Sequence, residues 1–109
     1  MANTFKLKTK ANVGVTTVGI YTAPAATTTV VIGITLANTS GSGVNVGVGI
    51  TRAGTTEDVK LLKNPPIPQG SSLEFMAGNK IVLEETDTVT VDSDTNNSVD
   101  AALTIMEIT

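Results

Sequence analysis

A chain of 109 residues is the size of one domain, and 1–109 is read here as a single unit. It has no cysteine, no histidine, a net charge of −3, 40% apolar residues and only 3% aromatic ones. Those counts exclude disulfides, thiolate metal sites, histidine general bases and imidazole ligands, and the acidic balance argues against binding nucleic acid through its phosphates.

The first segment alternates Phe5 and Leu7 with Lys6, Lys8 and Lys10. That pattern predicts a strand whose lysine face is wet. Nothing from Met1 to Lys8 forms the apolar stretch of a signal peptide. Val13, Val15, Val18 and Ile20 predict a second strand, with a bulge near Thr16 and Thr17. Tyr21 to Ala26 contains Pro24 and reads as a break. Thr27 to Ala37 is the clearest strand. Its alternation puts Val30, Ile32, Ile34 and Leu36 on one face, with Thr29, Val31, Gly33 and Thr35 on the other. Asn38 to Gly43 is a turn cluster. Val44, Val46, Val48 and Ile50 then line one face of a strand expected to pair with the previous one as a hairpin. On its reverse, Gly47 and Gly49 leave a strip of bare backbone that a neighbouring chain can approach, or mark a twisted or bulged strand.

Ala53 to Thr56 predicts a turn, and Val59 to Leu62 a short strand. Pro65, Pro66 and Pro68 make 64–70 an extended connector, since prolines this dense exclude a helix. Ser72 to Met76 reads as a strand, Ala77 to Asn79 as a turn, and Lys80 to Leu83 as a further strand. Glu84 to Asp87 turns, Val89 and Val91 alternate with Thr88, Thr90 and Asp92, and Asp92 to Asn97 turns again. Val99, Ala101, Leu103 and Ile105 close the domain, followed by Met106 and Ile108. About eight short strands with regular turn signals predict an all-β antiparallel sandwich or jelly roll. No stretch reaches the roughly 18 apolar residues of a membrane helix. Together with the missing signal peptide, this predicts a soluble chain made in a cytoplasm, without membrane partners.

Chemistry is sparse. Serine nucleophiles have no histidine to activate them, and no spacing recommends a pair between Lys80 and Ser71 or Ser72. Glu57, Asp58, Glu84, Glu85 and Asp87 lie in predicted turns, where low burial leaves carboxylates unshifted. Asp92, Asp94 and Asn96 occupy the first oxygen positions of a calcium loop, but Asn97 stands where that loop needs glycine and Leu103 where it needs glutamate. Gly41, Gly43 and Gly47 do not fit the dinucleotide fingerprint, and no helix follows them. No catalytic residue, metal site or cofactor is therefore expected. The few rings (Phe5, Tyr21 and Phe75) leave a small core of Val, Ile, Leu and Ala that gains from burial against partner subunits. Lys6, Lys8 and Lys10 read as edge protection or as a contact strand.

Three segments together resemble a known family: 29–39 (TVVIGITLANT), 59–73 (VKLLKNPPIPQGSSL), and 80–84 (KIVLE) with the tail 99–108 (VDAALTIMEI). They look like the small β-rich virion structural proteins of tailed bacteriophages, especially phages of cyanobacteria and marine bacteria. The resemblance runs over nearly the whole chain. It implies a virion protein present in many copies, with the major capsid protein or other virion proteins as partners and no enzymatic activity. Within that family a capsid cement or decoration protein is expected, working as a homo-oligomer, with a trimer favoured at threefold positions. A neck, tail or fibre component and a carbohydrate-binding sandwich are the alternatives. Expected contact residues are Lys6, Lys8, Lys10, Gly47, Gly49, Pro65, Pro66 and Pro68, the extended segments being suited to sheet-edge addition.

Overall fold

The computed structural model describes residues 3–52, 57–75 and 80–109. Nine strands follow in order: β1 (Asn3–Val13), β2 (Val18–Thr22), β3 (Thr28–Asn38), β4 (Val44–Arg52), β5 (Glu57–Ile67), β6 (Ser72–Phe75), β7 (Ile81–Leu83), β8 (Thr88–Ser93) and β9 (Val99–Ile108). No helix occurs among the described residues. The Val- and Thr-rich composition explains this, since both residues are stiff at χ1 and suit a pleated surface.

The strands form two antiparallel sheets. One runs β1-β9-β3-β6, with β7 also on β3; the other runs β2-β8-β4-β5. Because β1 to β4 alternate between the sheets, as do β7 to β9, the chain wraps as a jelly roll. β6 and β7 lie end to end along β3: Ser72 to Phe75 oppose Ala37 to Ile34, and Ile81 to Leu83 oppose Val31 to Thr29.

Among the described residues, the core between the sheets consists of aliphatic side chains together with Tyr21. β9 supplies Val99, Ala101, Leu103 and Ile105, and β4 supplies Val44, Val46, Val48 and Ile50. Strict alternation along these two strands is what the sequence pattern predicts.

Several expectations need correction. β3 and β4 do not form a hairpin; they belong to opposite sheets, and β4 pairs with β5 and β8. The 39–43 loop instead crosses between the sheets. The buried Asn38 amide holds it by donating to the carbonyls of Ser42 (2.8 Å) and Ile67 (2.9 Å), while its oxygen accepts from the Ser40 backbone and hydroxyl. Along β3 the alternation breaks at a bulge between Val31 and Gly33. Thr29 and Val31 therefore point inward with Ile34 and Leu36, while Val30 and Ile32 face outward. Val13 ends β1 rather than starting β2, and Val15 is exposed in the connection.

The proline-rich segment is strand as far as Ile67. β5 lies at a sheet edge, and Asn45 opposes Pro66 beside a bulge. An edge strand tolerates proline because one row of its backbone groups is unpaired. The turns expected at 53–56 and 77–79, together with Met76, lie outside the described residues.

Candidate assembly surface

β1 is the outermost strand of its sheet and pairs only with β9. The register sets Lys6 opposite Ile105 and Lys8 opposite Leu103, so the lysines share the inward face of β9. They project past the core toward its rim, where β1 overhangs β2. The Lys6 ammonium lies 2.8 Å from Glu107 Oε1. The Tyr21 hydroxyl donates to Glu107 Oε2 at 2.6 Å and accepts from Thr29 Oγ1 at 2.8 Å. Burial first, then the Glu107 contact, pushes the Tyr21 phenol up to about 12. Hydrogen bonds from Lys6 and then Tyr21 hold the Glu107 carboxyl below the usual carboxylate range, against its burial. This network clamps both terminal strands to β2 and β3.

The lysine face of β1 is wet as expected, with Lys6 and Lys10 exposed and Lys8 half-buried, but the reverse face is wet as well. The outward residues, Phe5 and Leu7, are 69% and 65% exposed. Phe5 opposes Met106, Met106 opposes Val30, and Val30 opposes Val82. Directly opposed residues share a face, so these four form an apolar row across four strands. Leu7 and the bulged Ile32 extend it. Val82 is 59% exposed, which puts three of the five large exposed apolar side chains among the described residues on this face.

At the other end of the same face, Thr9, Ala11, Thr35, Ala37 and Ala102 line a shallow open trough with Lys10, Asp100 and Ala101. Its outward floor residues Thr9, Ala11, Thr35, Ala37 and Ala102 are small, ending at a methyl or hydroxyl. Charged side chains at that end include Lys10, Asp100 and Glu74. The Asp100 carboxylate is engaged by the Asn12 backbone at 3.0 Å. The composition of β3 carried a signal for this surface, since a strand apolar on both faces is expected to be covered on both.

The other predicted contact residues lie elsewhere. Gly47 and Gly49 sit in the middle of the four-stranded sheet, covered by the chain itself. A Cβ on Gly47 would collide with the Asp92 carboxylate, and one on Gly49 would meet the Val59 carbonyl at 2.9 Å. Pro65 and Pro66 lie on β5, the edge farthest from β2, and the Pro68 carbonyl accepts from the Ser71 amide. The structure thus separates the lysine, glycine and proline groups rather than joining them.

The chemical candidates also disperse. Ser72 opposes Ala37 whereas Lys80 precedes Ile81, which opposes Val31; that is about 20 Å along β3 at strand spacing. Asp87 is not solvated as expected. It is 3% exposed, because its carboxylate accepts from Arg52 Nε at 3.0–3.1 Å and from the Glu84 amide at 3.0 Å. Asp92 and Asp94 turn to separate partners, the Thr17 hydroxyl at 2.8 Å and the Asn45 amide at 3.2 Å. Among the described residues no three acidic side chains converge as a metal site.

No family model matches the chain. No curated protein matches it either. Solved structures that share its fold include these two. One is a protein of the Bacillus endospore appendages, described as a novel family of disulfide-linked pili; identity is 16%, with a TM-score of 0.60 over 99% of this chain and 87% of that one. The other is a chain from the structure of infectious bursal disease virus, Gx strain, with 11% identity and a TM-score of 0.51 over 98% of this chain. The present chain spans 37% of that viral chain.

Proposed function

We propose that this chain is a non-enzymatic structural subunit of an assembled particle, and specifically a decoration or cement protein of a virion. The observation that carries the reading is the apolar outer face of the β1-β9-β3 sheet, on a molecule whose described acidic and serine–lysine candidates are dispersed. Soluble domains rarely leave a contiguous apolar patch of this kind uncovered unless a partner takes it. A cement binds only the assembled shell and so stabilises that state by mass action. The resemblance to phage virion proteins and the fold shared with a viral chain support this reading.

The test compares virions made with and without the protein. Those lacking it release their genome at lower temperature; equal heat resistance overturns the cement role. Counting copies per particle separates the remaining virion roles, since hundreds indicate the shell and about a dozen a neck, tail or fibre position. A filament subunit is a second reading, favoured by the full-length likeness to the pilus protein. This chain has no cysteine, so a filament built from it is held by surfaces alone. Boiling in detergent, without reductant, then reduces it to single chains.

A further inference from the structure

We propose that the outer face of the β1-β9-β3 sheet seats a second copy of this chain, stacked face to face about a two-fold axis. The pairing rests on the reading of the chain as a self-assembling subunit.

Size is the first argument. Four strand widths at about 4.8 Å and about ten residues at about 3.3 Å each give a plane of roughly 600 Å² before side-chain relief is added. A stable protein interface needs about 800 Å² per partner, so this one face is near the required area.

The second argument is shape. The ridge row of Phe5, Met106 and Val30 and the trough row of Thr9, Ala102 and Thr35 are parallel rows on one face. On β1 they are four residues apart, about 13 Å at strand spacing. Between them runs the row of Leu7, Thr104 and Gly33. A two-fold axis along that middle row lays the ridge of each copy over the trough of the other. Such an interface is isologous and closes at two copies. Sheets stacked this way sit about 10 Å apart, the spacing a large side chain spans when it meets a small one.

The experiment is sedimentation of the purified chain from micromolar to millimolar concentration, with circular dichroism to confirm that each variant keeps its strands. The wild type forms a dimer. Leu7→Glu brings two charges together at the axis and weakens it about a hundredfold or more. Ala102→Arg fills the trough and weakens it comparably without touching the ridge. Val15→Ser, an exposed site in the β1–β2 connection, leaves it unchanged. A wild type that stays monomeric overturns the pairing, as does a trimer, or a dimer that survives either Leu7→Glu or Ala102→Arg. A monomer that still raises the heat resistance of virions overturns this pairing and leaves the cement role standing. Paired copies that make no difference to virions do the opposite.

Discussion

Tyr21 and Glu107 are the residues whose behaviour departs furthest from their type. Each makes the other's burial tolerable: the phenol proton satisfies the carboxylate, and Lys6 neutralises it. Stability should therefore depend on pH at both extremes. The folded-state pKa of Glu107 is depressed, so its contribution is present above the unfolded carboxyl value and lost as pH falls through the lower folded one. The folded-state pKa of Tyr21 is raised to about 12, so its contribution is complete below the unfolded value near 10 and lost between there and 12. Melting temperature measured across pH should fall in both windows. Glu107→Gln should flatten the acid limb and Tyr21→Phe the alkaline one. At neutral pH, Tyr21→Phe should cost about 1–2 kcal/mol, because Glu107 and Thr29 each lose a partner. Neither effect was legible in the sequence, where residues 21 and 107 are 86 positions apart and Tyr21 reads as the start of a break, although it lies within β2. Backbone strain falls on Thr86, a β-branched residue at φ 68° in the turn before β8. A β-branched side chain is costly in that region and asparagine tolerates it. Thr86→Asn should raise stability by about 0.5–1 kcal/mol in urea unfolding.

At the scale of the strand, local alternation identifies a strand but not what covers its faces. Leu7 and Leu103 sit in equally regular patterns, yet Leu103 is fully buried on the middle strand β9 and Leu7 is 65% exposed on the edge strand β1. Leu103→Ala should cost about 2–5 kcal/mol through lost transfer energy and a cavity. Leu7→Ala should stay within about 0.5 kcal/mol for the isolated protomer. Chemical denaturation at low protein concentration measures both; a large effect at Leu7 in a monomeric sample would refute the register of β1. The bulge in β3 shows the same limit. One extra residue at Ile32 and Gly33 shifts the inward set from Val31 to Ile34, and a period-two reading carried through it assigns Val30 and Ile32 to the wrong side. Edge position likewise decides how prolines read. Pro65 and Pro66 looked like a connector because a central strand excludes them, and they are strand because β5 has a free side.

For the molecule as a whole, composition and periodicity were enough for the all-β class, since it follows from residue type and spacing alone. Topology was not legible, because pairing here is almost entirely between strands far apart in sequence. β1 closes against β9, and β3 lies against β9 on one side and β6 and β7 on the other. Among the described residues only β4 and β5 are consecutive strands that pair with each other. The assumed hairpin of β3 with β4 failed because nothing local states whether a six-residue turn returns within a sheet or crosses to the opposite one. The same topology governs kinetics. Every long-range pair requires closing a large loop before any contact repays the lost chain entropy, and folds dominated by such pairs refold in milliseconds to seconds rather than microseconds. Stopped-flow refolding of this chain from urea should accordingly be slow for its size. Thr104→Gly, which weakens β9 where it joins β1 and β3 without touching the core, should slow it further if β9 pairing is part of the rate-limiting step, with the folding limb of the chevron falling and the unfolding limb little changed. Microsecond refolding of the wild type, or a Thr104→Gly effect confined to the unfolding limb, would mean that local structure around β4 and β5 sets the rate and that β9 closes the jelly roll only afterwards.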